Sequence, residues 1–106
     1  MPKYLIKAKY SPEGVQGVKS KGGSSRRDAV AAAVEGLGGK LDSFYFGFGD
    51  NDVFAIVDMP DNEAVSAVAL TVNSSGGVAM TTTVLLTPEE VDEAAKRSVD
   101  YTPPGR

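Results

Sequence analysis

At 106 residues and 42% hydrophobic content, the chain holds a single domain with room for one core. It contains no cysteine and no histidine, which removes disulfides, thiolate nucleophiles, His-based triads and the commonest ligands of zinc and haem iron. With those ligands missing, neither a metal nor a cofactor is expected, and a net charge of −3 makes nucleic acid a poor partner, since phosphate neutralisation needs a basic face.

In chain order, residues 3–10 carry β-formers and read as a strand, with Lys3, Lys7 and Lys9 alternating along it to face solvent or blunt an edge. Ser11-Pro12-Glu13 opens a short helix, Ser as N-cap and Pro at the first helical position. Lys21 to Ser24 breaks it. Ser25-Arg26-Arg27-Asp28 has capping-box spacing, and the helix that follows places Val30, Ala33, Val34 and Leu37 on one face before Gly38-Gly39 stops it. Residues 40–48 form an aromatic strand, with Phe44, Phe46 and Phe48 on one side and Leu41 and Tyr45 on the other. Gly49-Asp50-Asn51 turns the chain into an apolar strand, Val53 to Val57. Asp61 begins a helix with a stripe of Val65, Val68, Ala69 and Val72, and residues 78–86 make a fourth strand. Thr87-Pro88-Glu89-Glu90 is a complete capping box for a short C-terminal helix ending near Arg97. The whole reads as α+β, a ferredoxin-like βαββαβ fold with a broken first helix. Residues 1–98 form the domain and 99–106 an extended, Pro-rich tail.

Motifs that would carry chemistry are incomplete. Gly17 to Ser24 brushes against a P-loop, but Gly23 stands where the phosphate-binding lysine belongs. Gly47 to Asp52 starts like a dinucleotide fingerprint yet joins strand to strand. Asp50-Asn51-Asp52 resembles the start of a calcium loop, but Phe54 and Ala55 occupy the positions for a ligand and a glycine. The helix start at Ser24, Ser25, Arg26 and Arg27 can hold an anion, though capping with surface arginines is the plainer reading. Asp52 opens an otherwise apolar strand, where a carboxylate near a pocket rim could serve as a base and a turn could equally claim it.

Leu37-Gly38-Gly39-Lys40-Leu41, Phe44-Tyr45 and Gly49 to Val53 resemble the GYD domain family of small bacterial proteins, as do Met59-Pro60-Asp61, Gly76-Gly77-Val78 and Thr87 to Glu90. Asn51 stands where that family usually has its tyrosine. The resemblance implies a dimeric α+β-barrel subunit. That group includes cofactor-free oxygenases, isomerases, haem enzymes and amino-acid-sensing domains, and a shared fold does not choose among them.

The expected protein is a cytoplasmic homodimer, or larger homo-oligomer, that binds a small apolar ligand or a protein partner without catalysis. The alternative is a cofactor-independent oxygenase or isomerase acting on an apolar or aromatic molecule. The third strand is apolar on both faces, so the sheet face not covered by helices is the expected interface. A site is expected between sheet and helices near the Asp52 turn, built from Asp52, Tyr45 and Tyr4, with Arg27 neutralising the carboxylate. With no apolar run near ~20 residues, no membrane span is expected.

Overall fold

Three helix starts follow from a local side-chain signal that satisfies a free backbone amide. In the computed structural model, which describes residues 1–105, Ser11 Oγ accepts from the Gly14 amide at 3.1 Å and Asp61 Oδ1 from the Ala64 amide at 2.8 Å. Thr87 and Glu90 close a reciprocal capping box. The elements run β1 (Lys3–Tyr10), α1 (Pro12–Lys21), α2 (Gly23–Glu35), β2 (Lys40–Phe46), β3 (Val53–Asp58), α3 (Asn62–Ser74), β4 (Val78–Leu85) and α4 (Pro88–Ala95). The four strands pair in the order β2-β3-β1-β4, antiparallel throughout, in a ferredoxin-like α+β arrangement.

Strand alternation sends Tyr4, Ala8 and Tyr10 of β1, Val53, Ala55 and Val57 of β3, and Met80 of β4 toward the helices, where all are buried. They meet Val34 of α2 and Val65 of α3. Each fully buried side chain of this size stabilises the fold by roughly 1.5–3 kcal/mol relative to exposure. Asn73, at the end of α3, fastens that helix to β4. Its side chain accepts from the Met80 amide at 2.7 Å and donates to the Met80 carbonyl at 3.2 Å.

Four local expectations are corrected. Leu41 packs into the core beside Phe44 and Phe46, because an irregularity between Leu41 and Ser43 shifts the pleat by one residue. Phe48 lies outside β2, in the turn, with a left-handed φ of 51° and its ring stacked on Phe46 at 5.6 Å. Helix α2 begins at Gly23, two residues before the expected box; Gly22, at φ 91°, turns the chain sharply and supplies no side-chain cap. The buried stripe of α2 runs through Val30 and Val34, with Ala33 exposed and Leu37 beyond the helix. Because β1 lies inside the sheet, its lysines face solvent and do not guard an edge.

Helix α4 has no buried residue and at most slight contact with any other element. Residues 98–103 form neither helix nor strand, and position 106 of the expected tail lies outside the described residues. Among the described residues, no helix is long and apolar enough to cross a membrane.

Candidate functional site

Helix geometry puts Arg26 on the apolar stripe of α2, four residues before Val30 and eight before Val34. Its side chain is half-buried and its guanidinium carbon lies 5.9 Å from the centre of the Tyr10 ring. The Nε–H is fully buried and has no hydrogen-bond partner. Leaving such a donor unpaired costs about 1–3 kcal/mol, which marks a position where a ligand oxygen would be favourable. Among the described residues, Arg26 also has no carboxylate within salt-bridge distance; the ion pairs form elsewhere.

Arg26 and Tyr10 stand between two spaces. Inward lies a narrow cavity of about 50 Å³ between sheet and helices, walled by Val30, Val34, Phe44, Ala55 and Val68 among others. Apart from Arg26 and Tyr10, every residue lining it is apolar. Outward lies a cleft of about 370 Å³ between α1, α2 and the start of β4. Its walls include Gly14, Gly17, Gly22 and Gly77, so much of the surface is bare backbone. A side chain at Gly14 would strike the Gly77 carbonyl at 2.5 Å, so this glycine lets α1 lie against the chain entering β4. The Ser11 amide donates to that same carbonyl at 3.0 Å and pins the cleft's outer corner. Lys21 and Arg26 line the cleft, and no Asp or Glu does, although the chain has 14 acidic residues. The site is thus a positive cleft with an apolar pocket behind it.

The four residues expected from sequence do not converge. Asp52 is 4% exposed, and Oδ2 accepts from the Tyr10 amide at 2.9 Å. The cation beside it is Lys9, at 3.4 Å, not Arg27. Tyr45 is 69% exposed on the open face of the sheet, opposite Phe54. Tyr4 is buried in the core and donates from Oη to Asn62 Oδ1 at 2.6 Å. Arg27 is exposed and pairs with its neighbour Asp28 at 3.2 Å. None of the four lines the cavity or the cleft. The signal for Arg26 was present in the sequence: counting back along the stripe from Val34 and Val30 puts residue 26, not 27, on the core side.

The chain matches the GYD domain model over residues 4–95. It belongs to the GYD domain family. Among solved structures, this GYD domain is similar to the leucine response regulatory protein (LrpA) of Mycobacterium tuberculosis, with a TM-score of 0.51 and 15% identity. The likeness covers 81% of this chain and 51% of the other, so the GYD domain spans about half that protein's length. At this identity the likeness is one of fold. No curated protein matches the sequence.

Proposed function

We propose that this GYD domain is a non-catalytic, cytoplasmic ligand-binding subunit that pairs with a second copy of itself through the open face of its sheet. The observation that carries the ligand reading is the cleft, which shares Arg26 and Tyr10 with an apolar cavity on their inner side and holds beside it a buried donor without a partner. At about 370 Å³ the cleft is in the range that holds a small molecule. The fold neighbour is a leucine response regulatory protein, and a binding role for this fold is in keeping with that name.

An oxygenase or isomerase would need a general base within reach of its substrate. The cleft is lined by no carboxylate, and Asp52 is occupied by the Tyr10 amide and Lys9. The apolar cavity also weighs against an aromatic substrate, since an engineered cavity of about 150 Å³ is what takes benzene. Binding without turnover is therefore the better supported role.

Three features support self-association. The open face carries Leu5, Tyr45, Phe54 and Ile56 in neighbouring strands, while α1, α2 and α3 cover the opposite face. The radius of gyration is 16.8 Å, against about 13 Å for a compact chain of this length, and α4 is left almost without contacts. The charges also complement: α4 bears Glu89, Glu90, Asp92 and Glu93, and the sheet bears Lys7 and Lys40, beside Lys3 and Lys9 that are paired to Asp58 and Asp52. A two-fold pair would bring each α4 toward its partner's lysine-bearing sheet.

Native mass spectrometry of protein purified from its own host tests both parts. The expected spectrum shows a species at twice the 11.0 kDa chain mass, with a retained small molecule that Arg26→Met removes. A bare monomer that acquires no adduct from a cell extract would overturn the proposal.

A further inference from the structure

The geometry points to a specific ligand class for this cleft: a small monocarboxylate with a short aliphatic tail and no ammonium group. The inference rests on the ligand-binding reading above and deepens it. Arg26 supplies the head-group site. Its planar fork of donors matches a carboxylate, its Nε–H is buried without a partner, and no protein carboxylate competes for it among the described residues. Lys21, on the same cleft wall, adds a second positive charge.

The tail follows from the space behind Arg26. A cavity of about 50 Å³ is about a third of one known to hold benzene, which leaves room for about two heavy atoms. Its walls are Ile, Val, Ala, Phe and Met side chains with no polar group beyond Arg26 and Tyr10, so the tail must be aliphatic. An ethyl group or the paired methyls of an isopropyl end fit; a ring or a hydroxylated chain does not.

The absence of acid in the cleft rejects an α-amino acid. A substrate ammonium beside Lys21 and Arg26 would face two like charges with no Asp or Glu lining either space to pair with it. The site thus separates a carboxylic acid from the amino acid of the same carbon skeleton, by charge and not by shape.

Isothermal titration of the full chain with isovalerate, 3-methyl-1-butanol and leucine tests this directly. Isovalerate should bind saturably, with leucine and the alcohol each at least ~10-fold weaker. Arg26→Met should bring isovalerate down to the level of the alcohol, and Arg26→Lys should recover part of the difference. Lys21→Gln, at an exposed position, should weaken isovalerate and reduce its salt dependence while leaving the alcohol unchanged. Equal affinity for isovalerate and the alcohol would overturn the head-group assignment while leaving a ligand-binding cleft intact. Leucine binding as tightly as isovalerate would overturn the exclusion of ammonium. If none of the three probes binds to the folded protein, this ligand class falls, while the ligand-binding reading stands or falls on the adduct in the native mass spectrum.

Discussion

Asp52 accepts the Tyr10 amide hydrogen while its own amide donates to the Ala8 carbonyl at 2.7 Å, so it joins the end of β1 to the strand beside it. Asp52→Asn keeps an acceptor and should cost about 0.5–2 kcal/mol, whereas Asp52→Ala strands a buried amide and should cost about 1–3 kcal/mol. Equilibrium urea denaturation measures both, and isovalerate binding should persist in each folded variant. Lost binding at unchanged stability would instead make Asp52 a site residue. At the other end of β1, the hydrogen bond from Lys3 to Asp58, at 2.9 Å, raises the lysine's pKa above its ordinary 10.5. The pair is therefore intact below 10.5, and its contribution fades only as pH climbs past the raised value. Lys3→Gln should remove that part of the alkaline stability loss, read from denaturation midpoints on either side of 10.5. At this scale the sequence told that Asp52 was unusual but not which of its two readings held. Its partners come from β1, more than forty residues away, and no local pattern announces a backbone amide left for a side chain to take.

Gly39 shows what the start of β2 demands of its residue. A Cβ there would sit 2.5 Å from the Asp58 carbonyl and 2.5 Å from the Met59 sulfur, both part of the packed end of β3. Gly39→Ala should destabilise by about 1–3 kcal/mol or more. Gly17, in the middle of α1, meets open space, so Gly17→Ala should stabilise by about 0.5–1 kcal/mol through helix propensity. Paired thermal and urea denaturation distinguishes the two signs. For α4, Thr87→Ala removes the capping box, worth about 1 kcal/mol locally. Because α4 buries nothing in its own subunit, amide exchange in residues 88–95 should quicken while the global midpoint of the isolated chain stays put. Helix starts at Ser11, Asp61 and Thr87 were legible because caps are written in adjacent residues. The irregularity at Asp42 was not, since alternation looks regular on either side of a one-residue slip. The early start of α2 was also hidden, because glycine at the cap position works through its φ and not through a side chain.

For the whole molecule, an antiparallel four-stranded sheet with helices on one face could be read from two βα halves joined by a hairpin, and the chain folds into such an α+β arrangement. The cleft could not, because it arises where the break between α1 and α2 meets the loop before β4, two segments joined only by the fold. The proposed pairing makes its own prediction. Ile56→Asp, on the open face, should shift sedimentation from the dimer to the monomer mass with the subunit still folded, and no shift would place any interface elsewhere. The ligand cleft is the centre of the account, and its most direct test is amide chemical-shift mapping of isotope-labelled protein titrated with isovalerate. The account predicts shifts gathered at Tyr10, Gly17, Gly22, Arg26 and Gly77, around the cleft and its inner pocket. Shifts confined to Lys7, Tyr45, Phe54 and Ile56 on the open sheet face, with the cleft signals unmoved, would contradict it.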